Sequence, residues 1–567
     1  MADTAAEPLI AGRPAVPRND CGDGYVEDES ALVRPGRFIW VLTFCAGVSG
    51  LLFGYEYVLL FLLHRLYINK QCKTVLKANA QASTGVISST LVSVGSDLSA
   101  RPLTTLDKSL ITSATSFLAL LASPLTGVLA DTVGRKPVIL AADILFVVGA
   151  LWQAWTSSVG GMIAGRGVVG AAVGSASFVV PLYIGELSPG PWRGRMVTIS
   201  SLFITAGQVV AYAVGWWFSA TAHGWRWMVG IGALPALLQF VMLFLMPETP
   251  RWLVRAGKKQ AARRVLVKIY EGAEGVNVER LVNGVLRRVE KETLDEEDIV
   301  VGRREVGSVK HGLSAKIGRV QENFAQLIGI GGNRRALIIA CMLQGAQQLC
   351  GFNSLMYFSA TIFAFVGFRS PTLTSLSIAT TNFVSTLVAF HYIDRIGRRR
   401  ILLLSIPFMV LGLILCALAF NFLNVPMESN DTQPRDAGPT PDKTWPLVIL
   451  TSMIVYVAGY AIGLGNVPWQ QSELFPLSVR SLGSGLATAT NWGSNTLVGL
   501  TFLPMIQLFT PTGTFLVYAL VCVGAWVAVR RMYPETAGLG LEDVGEVLRD
   551  GWGVEESVRR AKARRGT

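Results

Sequence analysis

Two ionisable residues stand inside otherwise apolar stretches: Glu56, after Gly54-Tyr55, and Arg166, in Gly165-Arg166-Gly167. A charge at the centre of a membrane helix costs ~2.5–3.5 kcal/mol on insertion scales, so each is a candidate for function. A carboxylate facing a guanidinium in a wet cavity can take up and lose a proton as the two groups approach and separate; the alternative is a purely structural ion pair. Uncharged polar side chains recur in other apolar stretches: Gln208, Gln347, Gln348, Asn353, Asn382, Trp469, Asn491, Trp492 and Asn495. Amides pair donors with acceptors, as vicinal hydroxyls do, and indole faces cover the C–H surface of a saturated ring. Any one amide between helices can be packing glue. Several of them on different segments, with no charge among them, indicate a neutral polyhydroxylated ligand. Gln153, between Trp152 and Trp155, reads as structural.

A third group of residues sits in short polar loops. Asp131-Thr-Val-Gly-Arg135 and Asp394-Arg-Ile-Gly-Arg398 each pack a carboxylate, a glycine and a guanidinium into a tight turn, where the glycine permits positive φ. Each arginine can reach a carboxylate on a neighbouring helix, such as Glu186 or Glu473. Asp131, Arg135, Glu186, Arg193 and Glu248 then form one latch, and Asp394, Arg398, Glu473, Arg480 and Glu535 a second. Exposed ion pairs are worth only ~0–1 kcal/mol each, which suits a switch that opens every cycle. Read singly, such charges are only topology signals; their recurrence in pairs favours the latch.

The elements that must hold these residues are membrane helices. The 567 residues are 51% hydrophobic and 16% charged, with mean hydropathy +0.45; a soluble domain carries about 25% charged residues. Low complexity, disorder and a disulfide-stapled secreted fold are excluded by the same composition. Apolar stretches of the required ~20 residues fall at 38–63, 110–130, 137–157, 162–184, 197–219, 227–246, 335–364, 373–393, 400–423, 445–468, 481–509 and 513–533. The net charge of +12 sits in short loops that alternate with less basic ones, the positive-inside pattern, which places both termini in the cytoplasm. No separate polar domain is available for nucleic acid. Seven cysteines and four scattered histidines lack metal-type spacing, so neither a metal nor a cofactor is called for, and no enzyme chemistry is implied.

The expected fold is thus an all-α membrane protein of twelve transmembrane helices in two pseudo-symmetric six-helix halves. A cytoplasmic tail (1–37) leads into the first half (38–249), with span 1 inserting as a signal anchor. Amphipathic cytoplasmic linker helices (250–334) join it to the second half (335–533), and a short basic cytoplasmic tail (534–567) follows. Residues 424–444 form an outer loop carrying the sequon Asn430-Asp431-Thr432. Glu186 and Glu473, Arg193 and Arg480, and the Pro-Glu-Thr triplets at Pro247 and Pro534 share one offset, the mark of a duplicated unit. Such repeats characterise alternating-access carriers, which hold the substrate between the halves near the midplane.

The chain resembles the sugar porters of the major facilitator superfamily over about residues 38–550. The matching strings are DTVGRK (131–136), GRGVVG (165–170), PLYIGELSP (181–189), PETPRWL (247–253), QQLCGFN (347–353), DRIGRR (394–399), VPWQQSELFP (467–476), NWGSN (491–495) and PET (534–536). QQLCGFNSLMYFSATIF (347–363), VPWQQSELFP and ATATNW (487–492) look most like fungal proton-coupled myo-inositol transporters. The resemblance implies a polyol site on Gln208, Gln347, Gln348, Asn353, Asn382 and Trp469, with Asn491 beside them, and a proton site on Glu56 with Arg166. It also implies a monomer in the plasma membrane, with a vacuolar membrane as the other choice. A hexose or pentose carrier on the same scaffold is the nearest rival. A nutrient sensor that moves nothing is another, but it would be expected to carry a long signalling tail.

One departure stands out. The family reads Gly-Tyr-Asp-Thr-Gly-Val-Ile-Ser in span 1, whereas Gly54-Tyr55-Glu56 is here split from Thr84-Gly85-Val86-Ile87-Ser88 by residues 57–83. The codons allow a GTATGT donor running from Glu56 into Val58, a CTAAC branch sequence at Ala78-Asn79 and an AG acceptor in Ser83. Excision stays in frame and restores the family string with an aspartate. The stretch therefore reads as a retained intron; if translated, it replaces the outer half of span 1 and weakens or abolishes transport.

Overall fold

The computed structural model describes residues 36–55, 98, 99, 101, 103–189, 192–218, 224–271, 277–301, 313–366, 368, 371–423, 444–467, 471, 474–476, 479–536, 541–549 and 551–565. Among these, regular structure is helical throughout. The first half contains α1 (Arg37–Tyr55), α2 (Thr105–Val133), α3 (Arg135–Trp155), α4 (Val159–Leu187) and α5 (Arg193–Phe218). It ends with α6 (Gly224–Ile231) and α7 (Ala233–Leu245), a single crossing interrupted at Gly232. The connecting segment forms α8 (Pro250–Arg255), α9 (Lys259–Tyr270), α10 (Val278–Val301) and α11 (Leu313–Gly329). The second half contains α12 (Gly331–Leu349), α13 (Phe352–Phe365), α14 (Pro371–Ile396), α15 (Arg398–Phe422), α16 (Thr444–Ile462) and α17 (Arg480–Met532), followed by α18 (Leu541–Val547) and α19 (Val554–Arg565).

Nine segments among the described residues are long and apolar enough to cross a membrane. One of them, Leu482–Met532, runs for 51 residues, about twice what one crossing needs. Thr510, with φ 60° and ψ 165°, and the adjoining Pro511 bend α17 into two crossings at the expected place. With α1 and the α12–α13 pair, the twelve expected crossings are accounted for.

Local chemistry sets the helix starts. Thr104 caps α2 through the Asp107 backbone N–H, while the Asp107 carboxylate accepts from the Thr104 backbone N–H, a reciprocal box. Ser158 caps α4, and Thr249 caps α8 with Pro250 in the first turn. The expected single span 335–364 is broken instead. Gly351 has φ +89°, and a Cβ there would lie 2.6 Å from the Tyr518 ring. The backbone reverses locally at a residue without a side chain, and α13 starts afresh on a new axis.

The two halves meet along α2 and α17, which run antiparallel, and along α5 and α14. Thr105 is hydrogen-bonded by Gln507, and Ser113 lies against Gly499 further along the first seam. Gly134, Gly397 and the connecting helices mark one face of the bundle, here called the linker face. A continuous apolar core on the opposite side joins Ile111, Met162, Tyr212 and Trp225 of the first half to Leu355, Phe358 and Ile362 of the second. The core on the linker side of the first half takes in α8–α10 through Leu253, Val265, Ile269 and Leu281, and holds no residue of the second half. Leu327 of α11, together with Val544 and Leu548, packs on the second half. Exposed Trp152, Trp155, Trp216, Trp217 and Trp227 ring the first half away from the linkers, where indoles suit the membrane–water boundary.

Candidate functional site

The amides converge at the break between α12 and α13. Asn491 on α17 is 1% exposed; its Nδ2 donates to Gln347 Oε1 at 2.7 Å and to Gln344 Oε1 at 2.6 Å. Its Oδ1 accepts from Gln348 Nε2 at 3.0 Å, and Gln348 Oε1 accepts from Asn353 Nδ2 at 2.6 Å. Gln347 Nε2 donates to the Gly465 carbonyl at 2.9 Å, just beyond the end of α16. Burying an amide without partners costs ~1–3 kcal/mol, and here each one answers another. Breaking span 7 at Gly351 is what brings Asn353 back onto Gln348, five residues earlier in the chain.

A second amide pair bridges the halves: Asn382 Nδ2 on α14 donates to Gln208 Oε1 on α5 at 2.7 Å. Trp492 Nε1 reaches Ser177 Oγ on α4 at 3.2 Å, and Asn495 Nδ2 reaches Tyr357 Oη at 3.2 Å. Gln208 is the one amide of the expected set that comes from the first half. A small apolar void lined by Gly351, Ser354, Leu413, Cys416, Met453 and Tyr456 shares no residue with the expected amide set. Among the described residues no cluster of His, Cys, Asp and Glu could hold a metal ion.

Arg166 is 5% exposed, and its Nε donates to the Ile111 carbonyl of α2 at 2.5 Å. Its expected partner Glu56, the stretch 57–83, Trp469, Glu473 and the sequon at Asn430 lie outside the described residues, as do the side chains of Arg193 and Asp394.

Four of the five latch residues of the first half, Asp131, Arg135, Glu186 and Glu248, lie together. Arg135 Nη2 lies 3.0 Å from Glu186 Oε1 and 3.1 Å from Asp131 Oδ1, and Nη1 donates to the Ala130 carbonyl. The Arg135–Glu186 pair is not the exposed, weak contact expected: their side chains are 6% and 8% exposed. Glu248 also differs from expectation, since the start of a helix is what it grips. Its carboxylate accepts the backbone N–H groups of Arg135 (3.2 Å) and Lys136 (3.0 Å) at the start of α3. Unpaired amides and the helix dipole favour an anion there. In the second half Glu535 accepts the Arg398 backbone N–H at 2.9 Å at the start of α15. Gly134 (φ +112°) and Gly397 (φ +105°) precede these two helices, and a Cβ would fall 2.6 Å from Glu248 Oε2 and 2.5 Å from Glu535 Oε2. Arg480 Nε and Nη2 donate to the Phe475 carbonyl.

Sequence reasoning missed several residues. Gln344, 0% exposed, lies one turn before Gln347 on the same helix face, a spacing that could have revealed it. Asp143 on α3 is a further in-span acid, 3% exposed, with Oδ2 lacking a hydrogen-bond partner. Ser177, Tyr212 and Tyr357 carry no sequence signal that separates them from packing residues.

Residues 42–548 match the family described as "Sugar (and other) transporter". The chain belongs to this family. It is 40% identical over 540 residues to Myo-inositol transporter 1 of Cryptococcus neoformans var. grubii, covering 94% of this chain and 86% of that protein. It is 40% identical over 554 residues to Myo-inositol transporter 1 of Candida albicans (97% and 91%), and 41% identical over 544 residues to Myo-inositol transporter 2 of Schizosaccharomyces pombe (95% and 86%). In fold it is similar to the major facilitator superfamily proton:xylose symporter XylE bound to 6-bromo-6-deoxy-D-glucose, with TM-score 0.68 at 24% identity over 90% of this chain and 99% of that one. XylE from E. coli in a partially occluded inward-open conformation gives 0.67 at 23% identity, covering 89% and 100%. This member of the family therefore has the twelve-helix, two-half architecture read from its sequence. It is a multi-pass membrane protein and not an enzyme.

Proposed function

We propose that the protein imports myo-inositol together with a proton by alternating access, from the outside of the plasma membrane, with both termini and the connecting helices cytoplasmic, and that it works as a monomer. The observation that carries the cargo is the set of amides, Gln208, Gln347, Gln348, Asn353, Asn382 and Asn491, which offers donors and acceptors without a formal charge. A cyclohexane hexol presents the complementary pattern: hydroxyls around its rim, and C–H faces that Trp469 covers. The amide bonds to one another are exchanged for bonds to the hydroxyls, so binding leaves few polar groups unpaired. The myo-inositol transporters named above are the relatives that support this choice of polyol.

The proton sits on the span 1 carboxylate, Glu56 or the aspartate restored by splicing, with Arg166 as its partner. Protonation from outside releases Arg166 and favours polyol binding; closure buries both; the latches of Asp131, Arg135, Glu186, Arg193 and Glu248, and of Asp394, Arg398, Glu473, Arg480 and Glu535, then open. One charge moving through 100 mV supplies ~2.3 kcal/mol for accumulation.

The test is uptake of radiolabelled myo-inositol at two external pH values, in cells lacking their own uptake, with and without residues 57–83. Faster uptake at the lower pH by the shorter form, undiminished by excess glucose, is expected. Uptake that glucose abolishes would make this a hexose carrier, and pH-independent uptake would remove the proton.

A further inference from the structure

Tyr212 lies on α5 one turn beyond Gln208 and is 3% exposed. Its hydroxyl donates to the Met356 carbonyl on α13 at 2.6 Å and lies 3.3 Å from Ser359 Oγ. Tyr212 belongs to the first half, and Met356 and Ser359 to the second. The ring is part of the apolar core that joins the halves on the side away from the linker helices, whereas the linker-side core of the first half contains no second-half residue. In this conformation the halves are therefore sealed together on the face opposite the linkers.

We propose that Tyr212 is the tie that holds that mouth shut, by anchoring α13 of one half to α5 of the other. The chemistry suits a bond that must break in every cycle. Met356 sits inside a helix, so its carbonyl keeps the ladder bond to the following turn when the phenol leaves, and no buried acceptor is orphaned. The phenol, once the halves part, is hydrated in the open mouth. The same short helix carries Asn353, bonded to Gln348, in its first turn. Closing the mouth and setting Asn353 against the amide cluster are thus one movement of α13. Tyr212 is a positioning residue: its hydroxyl is spent on the opposite half, while Gln208 on the same helix face meets Asn382. The inference rests on the alternating-access reading and not on the identity of the cargo.

The experiment labels a reporter cysteine in intact cells with a membrane-impermeant maleimide and no polyol present. Ser113→Cys serves, because Ser113 is 3% exposed in the α2–α17 seam against Gly499; the chain without it gives the background. Tyr212→Phe keeps the ring and removes the hydroxyl. Labelling should quicken roughly two- to tenfold, the span of one net hydrogen bond. An unchanged rate overturns the proposal, and so does a variant that melts at lower temperature yet labels at the parental rate, since the phenol would then be packing alone. A second arm bridges Tyr212→Cys and Ser359→Cys with a bis-methanethiosulfonate about as long as a phenol ring, which joins each thiol through a disulfide and releases a sulfinate. Transport should stop on bridging and return on reduction; transport that continues through the bridged protein overturns the tie. Because the labelling arm needs no substrate, a wrong cargo leaves its result standing.

Discussion

Gln208 of the first half accepts a hydrogen bond from Asn382 of the second at 2.7 Å, so two residues expected to hold the ligand hold each other across the domain boundary. A ligand that replaces this bond keeps both amides paired while it separates them. Gln208→Ala and Asn382→Ala should each weaken the apparent affinity for myo-inositol about two- to tenfold, the value of one net hydrogen bond, with little change in protein abundance. In the double variant the losses should be more than additive, because each single truncation also removes the pair bond that the ligand would have had to break, an offset that the double variant receives only once. Uptake kinetics across a range of polyol concentrations check this, and fully additive losses would separate the two residues functionally.

Arg135 and Glu186 form a buried pair in which the arginine also serves Asp131 and the Ala130 carbonyl. Removing one partner of a buried pair costs ~3–5 kcal/mol, because the other is left unpaired. Arg135→Ala should lower thermal stability in detergent markedly, and Arg135→Lys should recover only part of the loss, since an ammonium cannot reproduce the fork. Equal stability of Arg135→Lys and the parent would show that charge alone suffices.

Burial pushes the Glu248 carboxyl above its usual range, outweighing the pull of the Thr249, Lys136 and Arg135 backbone N–H groups and of the Arg135 charge. An acid whose folded value is raised binds its proton more tightly folded than unfolded. Its stabilising contribution is therefore complete below the unfolded value of about 4.3, and is lost as pH rises through the raised folded value. Over that window the melting temperature of the parent should fall relative to Glu248→Gln. Parallel curves for the two proteins would assign the pH dependence to other groups.

Gly134 and Gly397 combine positive φ with a carboxylate at the place of a Cβ, whereas Gly257 has φ +74° and nothing within 4 Å. Gly257→Ala should cost only the backbone strain, ~1 kcal/mol. Gly134→Ala and Gly397→Ala should cost more, because Glu248 or Glu535 must also release the helix start. Melting curves of the three variants rank them, and an equal loss in all would reduce the turns to strain alone.

Glu56→Gln, made in the full chain and, as Asp→Asn, in the spliced form, should abolish uphill accumulation while exchange of labelled for unlabelled polyol persists. Intact accumulation would move the proton to another residue, with Asp143 the next to substitute.

Hydropathy and repetition in the sequence by themselves determine the architecture. Apolar length is a local property, so the spans at 137–157 and 400–423 agree within a few residues with α3 and α15. The shared offset between Glu186 and Glu473 and between the Pro-Glu-Thr triplets announced two related halves, and the amides stood out because polar groups in apolar segments are few. Partner choice is not local, and only the tertiary structure decided it. Glu248 belongs to the charges of the expected latch, yet its carboxylate lies against the amides of a helix whose start is more than a hundred residues earlier. Gln344 gained meaning only when Asn491 was seen to reach it, and Tyr212 only when α13, freed by the bend at Gly351, came within reach of its hydroxyl. Periodicity reports which face of a helix is buried; which donor meets which acceptor depends on how the helices cross.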